Sequence, residues 1–178
     1  AHFSQQQSTL TADASPSYGG SVSGGGTYSY GATATVTATP STGYTLSGWS
    51  GDCSGGGSCS VAMNSNKTVT ASFSQQQYTL TADASPSAGG TVTGGGVYNS
   101  GAAVTVTATP AQGYTFTGWS GACSGTGYCS VTINTNKTVT ASFSQQQYTL
   151  TADASPSYGG SVSGGGTYSY GATATVTA

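Results

Sequence analysis

Charge is what this 178-residue sequence has least of. It holds two Lys, four Asp, no Arg and no Glu, so 3% of its residues are charged, against about 25% in an ordinary soluble domain. Its two lysines, Lys67 and Lys137, lie far apart in the chain. That leaves no footprint for a phosphate backbone and excludes nucleic-acid binding. No run of about 20 apolar residues occurs, so no segment reads as a spanning helix and no membrane insertion is expected. The single histidine is His2, so no histidine-based catalytic or metal site can recur along the chain. No serine has a base beside it, which sets nucleophilic catalysis aside. The reading is a non-enzyme without a cofactor.

What is abundant is small and polar. Ser and Thr together supply 60 residues and Gly another 29, half the chain. Such a composition can signal disorder, but 35% hydrophobic content with 12 Tyr, 4 Phe and 2 Trp points to packed domains.

The sequence repeats itself. Ser-Gln-Gln-Gln begins at Ser4, Ser74 and Ser144, a period of 70 residues. Repeat one is residues 4–73 and repeat two residues 74–143, and they differ at 19 of 70 positions. Residues 144–178 are the first half of a third copy, and Thr149–Ala178 is identical to Thr9–Ala38. Residues 1–3, Ala-His-Phe, read as the end of a preceding repeat because they resemble Ala71-Ser72-Phe73. A window cut from a longer array is the expectation.

Within a repeat the period is two. Tyr78-Thr-Leu-Thr-Ala-Asp-Ala, Val104-Thr-Val-Thr-Ala-Thr and Val139-Thr-Ala-Ser-Phe alternate apolar and polar residues. Thr, Val and Tyr favour strands. Breakers lie between the runs at Ser85-Pro86-Ser87, Gly94-Gly95-Gly96, Thr109-Pro110 and Gly121 to Gly127. The pattern predicts five or six short strands per repeat and no useful helix. The inward face of repeat two should carry Leu80, Val92, Val104, Val106, Phe116, Trp119, Val131, Ile133, Val139 and Phe143, with Ser and Thr outward. The fold class is all-β: tandem domains of about 70 residues, β-grasp-like or small sandwiches, as beads in a row.

Four cysteines form two pairs with five residues between, Cys53/Cys59 and Cys123/Cys129. Zinc would need four ligands, and each repeat offers two Cys and no His. A redox motif would have two intervening residues beside a βαβ pattern. The spacing favours a disulfide within each repeat over free or metal-bound thiols. A small all-β unit benefits from such a staple. Disulfides imply an oxidising compartment, so the protein is expected to be secreted or on the cell surface.

Gly113-Tyr-Thr-Phe-Thr-Gly-Trp-Ser-Gly, then Cys123 to Cys129-Ser-Val-Thr-Ile, then Lys137-Thr-Val-Thr-Ala-Ser-Phe make a pattern that resembles the divergent B-repeat domains of internalin-type bacterial surface proteins. The upstream Val97 to Pro110 stretch fits as well. The resemblance covers essentially the whole repeat, twice. It implies small β-rich modules strung in tandem on secreted or wall-attached proteins, with a spacer, stalk or adhesive role and no catalytic residues. The Cys loop and the near-absence of charge depart from the internalin-type pattern.

Several residues have two readings each. Asp13, Asp83 and Asp153 occupy one repeated position and read as an Asx-type turn into Ser-Pro rather than as calcium ligands, since no second carboxylate is near. Asn66 and Asn136 in Asn-Lys-Thr are formal N-glycosylation acceptors. The competing reading is a turn between the last two strands, where Lys67 and Lys137 discourage edge pairing. Trp49 and Trp119 read as core anchors, with a sugar-stacking platform as the alternative. Outward ladders such as Thr105, Thr107 and Thr109 offer hydroxyls for O-linked sugars. The Ser74-Gln75-Gln76-Gln77 linker contains no Gly or Pro, and inward positions change from odd to even across it. The chain must bend or twist there.

The expected role is structural: an extracellular bacterial fibre, stalk or surface array. Low charge removes repulsion between copies, so self-association into a filament is the expected partnership. The alternatives are a carbohydrate-binding adhesin module and a passive spacer of a secreted hydrolase.

Overall fold

A computed structural model describes residues 4–178; the Ala1-His2-Phe3 reading lies outside the described residues. Strands account for most of the chain, joined by short turns, with no α-helix among the described residues. By contacts the chain divides into two units. One runs to Gln77 and includes Asn99–Gly101; the other is Tyr78–Tyr98 with Ala102–Ala178.

Repeat one contains β1 (Gln7–Ser15), β2 (Gly20–Ser23), β3 (Gly26–Ser29), β4 (Thr33–Pro40), β5 (Tyr44–Gly51), β6 (Cys59–Ala62) and β7 (Lys67–Gln75). Repeat two contains β8 (Gln77–Ser85), β9 (Gly90–Thr93), β10 (Gly96–Asn99), β11 (Ala103–Pro110), β12 (Tyr114–Gly121), β13 (Cys129–Thr132) and β14 (Lys137–Gln145). That is seven strands per repeat, more than the pattern predicts. The additional ones are β3 and β10, which begin on the last residue of the triple glycine. Gly24 and Gly94 carry positive φ and turn the chain sharply enough for a short strand to start at once.

Each repeat forms two sheets. In repeat one these are β3-β1-β7-β5 and β2-β4-β6; in repeat two β10-β8-β14-β12 and β9-β11-β13. First and last strands lie side by side and parallel, Leu10 opposite Lys67 through Ser15 opposite Ser72. The same register joins Leu80 to Lys137 through Ser85 to Ser142. Each repeat is therefore closed by its own ends.

Side chains from both sheets meet in one core per repeat. In repeat two it comprises Leu80, Val104, Val106, Trp119, Cys129, Val131, Ile133, Val139, Ala141 and Phe143. Repeat one places Leu10, Ala34, Val36, Trp49, Cys59, Val61, Met63, Val69, Ala71 and Phe73 in the same seats. Ala34 becomes Val104 and Met63 becomes Ile133, exchanges that keep each core apolar. Strict alternation fails in β12. Phe116 and Trp119 are three residues apart, yet both pack on the core. A bulge between Phe116 and Gly118 makes this geometrically possible.

Two charged positions differ from their expected settings. Asp13 and Asp83 lie inside strands, opposite Thr70 and Thr140 in the parallel ladders, and do not cap an Asx turn. The ladder supplies their backbone partners, and the turn follows at Ser15-Pro16 and Ser85-Pro86. Lys67 and Lys137 do not guard an edge. They open β7 and β14, which are interior strands of the four-stranded sheets.

Residues 147–178 have fewer ordered pairings. β15 (Gln147–Leu150) pairs β16 (Gly166–Ser169), and one bridge joins Ser163 to Thr177. The sequence Thr-Leu-Thr-Ala-Asp-Ala-Ser is wholly strand in β1 but leaves the strand after Leu150 here. Identical residues are strand in one place and not in the other because only β1 has a parallel neighbour.

Candidate functional site

Three constructions in each repeat could carry function: the Trp–Cys loop, the Asn-Lys corner and the Gln joint. The loop comes first. Trp119 is 8% exposed and Trp49 6%. The Trp119 indole Nε1–H donates to the Gly127 carbonyl at 3.0 Å, and its backbone N–H donates to Gly125 O at 2.7 Å. Trp49 makes the equivalent bonds to Gly57 and Gly55. Phe116 packs on Trp119 with ring centroids 5.0 Å apart. Gly118 has φ +151, and the Gly125 carbonyl lies 3.2 Å from where its Cβ would stand. The glycine-rich loop thus folds back over the indole and satisfies its polar hydrogen. Both Trp rings are core groups whose faces are covered.

The disulfides pin that loop. Cys53 and Cys59 are bonded, with Cα atoms 5.7 Å apart, as are Cys123 and Cys129. Cys59 and Cys129 are both 1% exposed, so the staple ties a surface loop to the core. Removing it with Cys123→Ala and Cys129→Ala should destabilise repeat two by about 2 kcal/mol, from the entropy of the short loop it closes. Denaturant melting of the variant against the parent protein measures this, with unchanged repeat-one signals as the internal reference.

At the corner before the last strand, the Asn66 side-chain Oδ1 accepts from the Thr9 N–H at 2.9 Å. Asn136 does the same for Thr79 at 2.8 Å. Each asparagine thus joins the first strand to the last where their parallel ladder begins. Asp52 adds a feature that repeat two lacks. Its carboxylate accepts from the Thr68 N–H at 2.8 Å and from Lys67 Nζ at 2.9 Å. The Thr68 bond, then the Lys67 ammonium, hold its pKa below the ordinary aspartate value. A depressed carboxylate pKa stabilises the fold above the unfolded-state value, and that gain is lost as pH falls through the folded value. Repeat one should therefore loosen at its β7 corner on acidification below the ordinary aspartate range. Asp52→Ala should abolish that step, as read by pH-dependent amide exchange at Thr68. Ala122 stands at this place in repeat two and its N–H donates to Thr138 O at 2.9 Å.

The third construction is the Gln joint. Strand β14 ends at Gln145 and β15 begins at Gln147, so the ladder breaks at Gln146. Gln146 N–H donates to Gly113 O at 2.7 Å, and Tyr170 N–H donates to Gln146 O at 2.8 Å. Gln145 Nε2 donates to Tyr170 O at 3.3 Å. Gly113 has φ +80, and a Cβ there would collide with the Tyr170 ring. The turn after β16 is thereby seated on the β11–β12 turn of repeat two. The same bonds occur within the first unit, Gln76 N–H to Gly43 O and Ser100 N–H to Gln76 O, both 2.8 Å. Sequence reading marks the glutamine linker but misses its partners, Gly113 and Tyr170. Their only signal is Gly113 two residues before the β12 Thr, in a turn that any hairpin could use.

No group of three His, Cys, Asp or Glu among the described residues is placed to hold a metal ion. No helix among them is long and apolar enough to cross a membrane.

The family model for the divergent InlB B-repeat domain matches residues 9–77 and again residues 78–147. This chain belongs to that family. The two matches are tandem B-repeats, each spanning one first-to-last closed unit of strands. B-repeat domains are typically non-catalytic, and the family, the disulfides and the tandem arrangement fit a surface repeat module of an extracellular protein. No curated protein and no solved structure matches the chain.

Proposed function

We propose that this chain is a structural segment of an extracellular fibre, stalk or surface array, in which B-repeats follow one another through stiff joints. The observation that carries this reading is the Gln146 joint. Three hydrogen bonds and the Tyr170 ring over Gly113 fix residues 147–171 on repeat two. A linker serving only as a tether would be Gly- or Pro-rich and free of such bonds. Near-zero charge supports lateral or end-to-end association of copies, because little repulsion keeps them apart. A carbohydrate-binding role would need a surface other than the buried indoles of Trp49 and Trp119.

Immunogold labelling of intact source cells with antibody to the purified chain tests the reading. Label on elongated material outside the cell is expected. Label confined to the cell interior would overturn it.

The joint gives its own prediction. Gly113→Val adds a branched side chain at a positive φ and beneath the Tyr170 ring, costing about 1–3 kcal/mol in strain and steric displacement. Amide exchange at Gln146 and Tyr170 should quicken while the Ile133 and Val139 amides stay protected.

A further inference from the structure

One cleft recurs in both complete repeats with a different rim in each. In repeat two it holds about 280 Å³ and lies between β11, β12 and the 121–129 loop. Val106, Trp119 and Cys129 line it as buried residues. Thr107, Phe116, Thr126 and Tyr128 complete the wall. In repeat one the same place holds about 220 Å³ among Thr37, Leu46, Trp49 and Ser58. Leu46, Gly56 and Ser58 of repeat one become Phe116, Thr126 and Tyr128 in repeat two. The disulfide and the indole bond to the loop are built alike in both copies. The fold therefore closes without the larger side chains. Tyr128 is 79% exposed, so its ring covers no core. Its hydroxyl is hydrogen-bonded to Thr105 Oγ1 at 2.7 Å, which anchors the far end of the ring on β11. No residue lining the cleft is charged, and Ala122 stands in this loop where repeat one has Asp52. A phosphate, carboxylate or ammonium group would find no counter-charge there.

We propose that the repeat-two cleft binds one neutral pyranose ring. Tyr128 supplies the stacking face, and the hydroxyls of Thr107 and Thr126 supply hydrogen bonds. A β-pyranoside presents a face of C–H bonds with partial positive charge, which suits the negative face of an aromatic ring. Its equatorial hydroxyls lie around the edge of that face, where the threonines can meet them. The Thr107 hydroxyl shares a hydrogen bond with the Thr93 hydroxyl and is held in place by it. Small-molecule sites usually measure about 300–1,000 Å³, so a cleft just below that range takes a single ring rather than a longer chain. A shallow site of this kind gives a dissociation constant on the order of 1 mM. Repeat one, with Leu46 and Ser58 on its rim, lacks the stacking face and should bind far more weakly. The inference does not depend on where the protein resides or on fibre formation.

The test is an amide-shift NMR titration of the 178-residue chain with methyl β-D-glucopyranoside and, separately, methyl β-D-galactopyranoside. Saturable shifts with at least one of them are expected at Thr107, Thr126, Gly127 and Tyr128. The matching repeat-one amides, Thr37, Gly56, Gly57 and Ser58, should stay still at the same concentrations. Tyr128→Ser installs the residue that repeat one carries at this place, so the fold should hold, with Val131 and Ile133 amides unmoved. Binding by that variant should weaken by about tenfold, from loss of the stacking face. Three results would each overturn the proposal. They are no saturable shift with either glycoside, binding undiminished by Tyr128→Ser, and shifts of equal size in the repeat-one cleft.

Discussion

Trp119→Ala is expected to unfold repeat two while repeat one stays folded. Truncating a buried tryptophan costs about 3–5 kcal/mol. A 70-residue all-β unit buries limited surface, and its whole stability is expected to be only about 5 kcal/mol. The indole also organises its surroundings. It accepts the Phe116 ring at 5.0 Å and gives the Gly121–Cys129 loop its anchor through the Gly127 carbonyl. Without it the loop retains its disulfide but loses the surface it covers. Loss of dispersed side-chain resonances for Ile133 and Val139, with Met63 and Val69 retained, is the expected NMR result. Two-unit collapse, or a fully native repeat two, would show that the core is not partitioned into separate clusters of Leu80 to Phe143 and Leu10 to Phe73.

Gly90→Val should be as severe, for a different reason. The φ at Gly90 is 165°, extended backbone open to any residue, so no strain arises from the backbone itself. The obstacle is space. A Cβ would collide with the Thr109 carbonyl and come within 2.7 Å of the Phe143 ring tip. The carbonyl belongs to the β9–β11 ladder, where Thr91 pairs Thr109 and Gly90 pairs Pro110, and it cannot withdraw without breaking that sheet. Phe143 is held between the sheets at 6% exposure. Overpacking of this kind costs about 1–3 kcal/mol, and backbone displacement takes it to the upper end. Thermal melting should show repeat two unfolding well below repeat one. The same substitution at Gly160 should leave melting unchanged, which separates crowding from any intrinsic effect of valine after Gly159.

Much of the fold is legible because period two marks strands directly. Val104, Val106, Val131 and Val139 alternate with Thr and Ser, and all four are buried. The Trp–Cys loop is legible in part: Trp-Ser-Gly followed by paired cysteines announces a staple near an anchor. The bulge that lets Phe116 and Trp119 share a core is not, because a single glycine in a strand run has several meanings. Parallel pairing of first and last strands is also hidden. It joins residues nearly 60 positions apart, Leu80 with Lys137, and local pattern carries no information at that range. Asp13 misleads for the same reason: its neighbours Ser15-Pro16 signal a turn, while its actual partner is Thr70. At the joint, the odd-to-even change around Gln146 is visible in the sequence, but the Tyr170 ring over Gly113 depends on tertiary placement.

The proposed role has jointed B-repeats building an ordered extracellular structure. Electron microscopy of the native material tests it most directly. Straight filaments with a regular axial spacing set by the repeat are expected. Single flexible strands of unevenly oriented beads would contradict it.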